Sequence, residues 1–103
     1  MPEQLQRTDA QRRWLRQRSK QLFGNADRLE VADAIARSSS GLVHAQELAD
    51  GLGISAPRVR TQLLAHVSAK LLTELPIHQQ IKNYERIDDP YWGHIRDLVE
   101  AWG

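Results

Sequence analysis

Residues 47–66, ELADGLGISAPRVRTQLLAH, constrain the fold more tightly than any other part of the chain. Leu48, Ala49 and Leu52 recur at helical spacing, and Gly53 ends that pattern. Only Ile54 separates the glycine from Ser55, a good N-cap, and Pro57 falls in the first turn of the helix that follows. Two helices joined this closely pack at a steep angle, with Leu48, Leu52, Ile54, Val59 and Leu63 as the contact. Gly53 permits the turn, at positive φ if the backbone needs it. The front of the second helix, with Arg58 and Arg60, is left projecting from the domain.

The flanking sequence supplies the other elements. Residues 4–23 lack Gly, Pro and any β-branched run, and read as a helix closed by Gly24-Asn25. A second helix is expected over 27–38, opened by an Asp27/Glu30 capping box, with Leu29, Ala32, Ile35 and Ala36 facing the core. Ser38-Ser39-Ser40-Gly41 reads as a loop. The third helix runs over 45–52, capped by His44, and the fourth over 56–72. The period then changes, and strands over 74–77 and 81–87 form a hairpin around His78-Gln79-Gln80. Pro76 needs an edge position there. Asp88 or Asp89 caps a last amphipathic helix, begun by Pro90 and anchored by Trp92, Ile95, Leu98, Val99 and Trp102.

The fold class read from this order is mainly α with a small β-hairpin. It is a winged helix-turn-helix with an added N-terminal helix and a C-terminal helix. One domain over 1–103 is expected: a basic helix over 1–24, a core and wing over 27–87, and a closing helix over 88–103.

Charge is uneven along the chain. The net charge is +1, yet residues 1–23 carry Arg7, Arg12, Arg13, Arg16, Arg18 and Lys20 against only Glu3 and Asp9. Residues 73–103 carry Lys82, Arg86 and Arg96 against six acidic groups. That asymmetry fits one side turned to a polyanion and one turned away. There is no cysteine, which removes disulfides, thiol sensing and Cys-ligated metals, and fits a cytosolic protein. No apolar run is long enough to span a membrane, and the basic first twenty residues lack the apolar core of a secretory signal.

The stretch QELADGLGISAPRVRTQLLAH resembles the helix-turn-helix of MarR/ArsR-type bacterial winged-helix transcription regulators. The matching residues are Glu47-Leu48-Ala49, Leu52-Gly53-Ile54-Ser55, Val59 and Leu63. The likeness continues through LLTELP, NYERIDDPYWGHIRDLVEAW and so covers roughly residues 27–103. It implies a homodimeric regulator, a repressor, whose helix 56–72 lies in the major groove of double-stranded DNA. On a wheel of about 100° per residue, Val59 and Leu63 mark the inner side. Arg58, Thr61 and Gln62 then lie outward, Arg60 at the flank, and Ser55, Ala56 and Pro57 at the front. Arg58 suits guanine and Gln62 suits adenine, while Arg60, Thr61 and Ser55 suit phosphates.

Three departures from the family pattern stand out. The wing offers His78, Gln79, Gln80 and Lys82 but no arginine at its tip, which favours light phosphate contact over deep minor-groove insertion. His66 takes a position usually held by a core leucine and is expected to be packed or hydrogen-bonded. Lys70 replaces a frequent glycine, so the fourth helix is expected to run on or to end without a left-handed cap.

The twofold interface is expected from the two terminal helices, through Trp14, Leu15, Leu22, Trp92, Ile95, Val99 and Trp102. The alternative is that these residues pack together inside one chain. His44, His66, His78 and His94 are single and widely spaced, with His94 beside Asp97 or Asp88 the one weak pairing, so neither a metal nor another cofactor is expected. No nucleophile–base order or phosphate-binding glycine loop occurs, so an enzyme is not expected. A rival function is a winged-helix module that binds protein rather than DNA. Any small-molecule effector is left open.

Overall fold

The computed structural model describes residues 7–102. It contains five helices and a small sheet in the order α1 (Asp9–Phe23), α2 (Arg28–Arg37), β1 (Leu42–Val43), α3 (Ala45–Leu52), α4 (Ala56–Ser68), β2 (Leu72–Glu74), β3 (Tyr84–Arg86) and α5 (Pro90–Trp102).

Local sequence sets most of the boundaries. Thr8 caps α1: its hydroxyl accepts from the Gln11 amide at 3.1 Å, and the Gln11 side chain accepts from the Thr8 amide at 2.9 Å. The expected start at residue 4 therefore moves to Asp9, and residues 1–6 lie outside the described residues. The capping box expected at Asp27 and Glu30 does not form. Asp27 has helical backbone angles, φ −87° and ψ −14°, and both carboxylates are instead held by arginines of other helices. α3 and α4 are capped as the sequence suggests, by His44 Nδ1 and by the Ser55 hydroxyl.

Gly53 closes α3 at φ 70°, and the amides of Gly53 and Ile54 both donate to the Ala49 carbonyl. α4 ends at Ser68 rather than at residue 72. Lys70 there adopts φ 66°, and the Leu71 amide donates to the His66 carbonyl at 2.9 Å. The helix thus ends in a left-handed cap after all, built on a residue with a side chain, which corrects the expectation for Lys70.

The sheet has three antiparallel strands in the order β1-β3-β2. The hairpin strands are shorter than expected, and β1 lies in a stretch that the sequence pattern does not mark as a strand. Two residues of alternating burial are too few to show a period. The hairpin turns at Gln79-Gln80, with φ 53° and 65°, between the bridged pair His78 and Ile81. These are the angles of a type I′ turn, made here without Asn or Gly.

α2 is the central element. Leu29, Val31, Ala32, Ile35 and Ala36 are all buried, because α1, α3, α4 and α5 each pack against it. Arg86 of β3 completes its C-terminus by donating Nη1 to the carbonyls of Ile35, Ala36 and Ser38 at 2.7, 3.2 and 2.8 Å. His66 is buried and stacks on Trp92, its Nδ1 2.7 Å from the Gln62 carbonyl and its Nε2 2.7 Å from the Tyr91 hydroxyl. Burial lowers the His66 pKa and pushes the Tyr91 hydroxyl up to about 12.

The terminal helices join this core. Leu15, Trp92, Ile95 and Val99 are 0%, 6%, 3% and 1% exposed within a single chain, so they are interior residues and not an exposed interface. That corrects four of the seven interface expectations. Trp14 and Leu22 remain 46% and 61% exposed. Trp102 is half-buried, and the Arg18 guanidinium lies 4.6 Å from the ring centroids of both Trp14 and Trp102.

Candidate nucleic-acid interface

α4 is sequestered on one side over a wide arc. Val59, Gln62, Leu63 and His66, spaced i, i+3, i+4 and i+7, are all buried. Gln62 is 1% exposed, and its side-chain amide oxygen Oε1 accepts from Arg28 Nε at 2.6 Å. The outward position expected for Gln62 is therefore wrong. α2 covers the side of α4 that the wheel left open, so Gln62 joins the inner face.

The remaining face is solvent-accessible. Ser55, Pro57, Arg58, Arg60 and Thr61 are exposed and Ala56 is half-buried. Thr61 donates its hydroxyl to the Pro57 carbonyl at 3.1 Å. The same face carries Leu64, 46% exposed, which sequence reasoning passed over. His78, Gln79 and Gln80 are exposed at the wing tip. Lys82 is half-buried, and its ammonium lies 3.4 Å from the Glu74 carboxylate across the hairpin.

Behind the front of α4 lies a charge network that links three helices. Arg58 grips Asp27 side-on, through Nε at 3.0 Å and Nη2 at 2.6 Å. Asp27 also accepts from Arg16 Nη1 at 2.6 Å. Glu30 accepts from Arg12 through Nε at 2.7 Å and Nη2 at 3.1 Å. The Asp27 and Glu30 side chains are only 10% and 5% exposed, so their partners keep them tolerable in place. The Arg58 hydrogen bonds, helped by Arg16, hold the Asp27 carboxyl below the usual carboxylate range. Arg12 also reaches the helix-turn-helix itself: a Cβ built on Gly53 would lie 4.0 Å from its Nη1.

The sequence hid this arrangement because Asp27 and Glu30 have a sufficient local explanation as caps. Their true partners lie between 11 and 31 residues away. The one available signal was the spacing of Arg12 and Arg16, which puts two cations on one face of α1.

Among the described residues no group of three His, Cys, Asp or Glu side chains is placed to hold a metal ion, and no helix is long and apolar enough to cross a membrane.

Four helices packed on α2, the turn at Gly53 and the hairpin that follows α4 define a winged helix-turn-helix of the transcription-regulator type. No protein-family model and no curated protein matches the chain. Among solved structures it is similar to the antimony-specific transcriptional repressor AntR, at 26% identity and a TM-score of 0.60. The match covers 79% of this chain and 69% of that one.

Proposed function

We propose that this chain is a sequence-specific repressor of transcription that binds double-stranded DNA. The carrying observation is the exposed front of α4, with Arg58, Arg60 and Thr61 presented immediately after the Gly53 turn. Likeness to a transcriptional repressor supports it and favours a regulator over an enzyme. In this reading α4 enters the major groove by its N-terminal half. Arg60, Ser55 and Thr61 hold phosphates, Arg58 reads a base, and Leu64 meets a thymine methyl. His78, Gln79, Gln80 and Lys82 touch the backbone beside it. Gln62 has no part in base contact, being enclosed.

The protein acts in the cytosol as a homodimer, with recognition helices about 34 Å apart on a near-palindromic site. With Leu15, Trp92, Ile95 and Val99 committed to the core, the interface reduces to Trp14, Leu22 and Trp102, with Arg18 between the two indoles. Antimony belongs to the neighbour's description. The 103 residues contain no thiol, the soft ligand a thiophilic metalloid favours, so an effector of that class is not carried over.

The test is a charge reversal, Arg60→Glu, at an exposed position. Loss of duplex binding with the fold intact is expected. Unchanged binding would instead favour the protein-binding module.

A further inference from the structure

A guanidinium offers two forked edges. Arg58 spends the Nε–Nη2 edge on Asp27. The Nη1–Nη2 edge remains, and Nη1 has no protein partner among the described residues, while the side chain as a whole is 47% exposed. That outer edge matches the O6 and N7 acceptors that guanine presents in the major groove. Asp27 is itself fixed from behind, by Arg16 at 2.6 Å, and sits at the entry to α2, the best-buried helix of the fold. An arginine held this way loses little side-chain freedom on meeting a base. A free arginine would swing to the nearest phosphate instead.

The geometry points to Asp27 as the positioning residue that makes Arg58 a guanine reader, rather than a general phosphate contact. This rests on the DNA-binding function proposed above. Asp27 does not itself touch the DNA. Its carboxylate turns the outer edge of Arg58 toward the bases, and its negative charge disfavours the phosphate alternative.

Two opposite effects follow from Asp27→Asn. The fork is weakened, so discrimination for guanine falls. A negative charge near the polyanion is also removed, so affinity for unrelated duplex stays level or rises. A purely structural role would lower both together.

The probe is a library of duplexes with a randomised centre, from which wild-type protein selects. The selected duplex is then remade with 7-deazaguanine at each guanine in turn, which replaces the N7 acceptor with a C–H and keeps O6 and the base-pairing edge. Wild type is expected to lose about tenfold or more at one symmetric position. Asp27→Asn should lose less than about threefold there, while binding unrelated duplex at least as well as wild type. Arg58→Lys leaves Asp27 paired with Arg16 and keeps the cation, and it should also lose the guanine preference. It keeps the test valid should Asp27→Asn fold poorly. Full guanine discrimination in either variant overturns the proposal. So does a selected site with no sensitive guanine. Failure of wild type to select any duplex overturns the DNA-binding reading as well, and so separates the two.

Discussion

Leu15→Ala separates two roles for α1, interior element and external appendage. Leu15 is fully buried against the shared core. Truncating such a leucine costs about 2–5 kcal/mol, depending on how far the site collapses. Collapse is restricted here, because Arg12 and Arg16 on either side of Leu15 tie α1 to Glu30 and Asp27. A cost of about 3–4 kcal/mol, clear of the low end of that range, is therefore expected. For a domain of this size that lowers Tm by roughly 12–30 °C. Thermal and urea unfolding, followed by circular dichroism at two protein concentrations, measures it. The loss should be the same at both concentrations, since the cavity lies within one chain. Leu22→Ala is the control. At 61% exposure it should cost less than about 0.5 kcal/mol in an isolated chain. A loss at Leu22 that is larger at the higher concentration and fades on dilution would mark a subunit interface. A cost below about 1 kcal/mol for Leu15→Ala would refute the reasoning, and with it the place of α1 in the core.

Three further outcomes are expected. Burial lowers the folded-state pKa of His66 below its ordinary value of 6.5, so its contribution is complete above that pH and is lost as pH falls from there toward the folded value. Urea midpoints at about pH 7.5 and about pH 5 should fall for wild type and fall less for His66→Gln; equal slopes would contradict the buried neutral ring. Lys70→Gly relieves a left-handed φ of 66° and should raise stability by about 0.5–1 kcal/mol; a lower Tm would count against it. Trp14→Glu should shift the protein toward monomer in analytical ultracentrifugation, whereas a wild type that is already monomeric contradicts the proposed interface.

Local chemistry decided what could be read in advance. Gly53, Ser55, Pro57 and His44 act on the backbone within a few residues, and the helix-turn-helix they frame lies where the sequence puts it. The errors arise where distant partners compete. Asp27 is a good cap in isolation, but two arginines from other helices outbid its own backbone. Gln62 stands at the flank of a wheel drawn from Val59 and Leu63, about 80° from their midpoint, so the expected outward position fails once α2 packs on that flank and Arg28 bonds its amide. Leu15, Ile95 and Val99 look surplus to a small winged domain, yet α2 has apolar residues around most of its surface and needs the terminal helices to cover them. Arg86 gave no local sign of its role, since the carbonyls it caps lie 48 to 51 residues earlier.

The central claim is that the exposed front of α4 binds duplex DNA. Fluorescence-anisotropy titration of a duplex from the gene's own upstream region, across a salt series, tests it with wild type and Arg60→Glu side by side. The account predicts tight binding by wild type with a steep salt slope. It predicts loss of affinity in the variant and a slope shallower by about 1, as expected for one phosphate contact removed. Binding of this duplex and of selected sequences that is weak, flat with salt and indifferent to the substitution would contradict it.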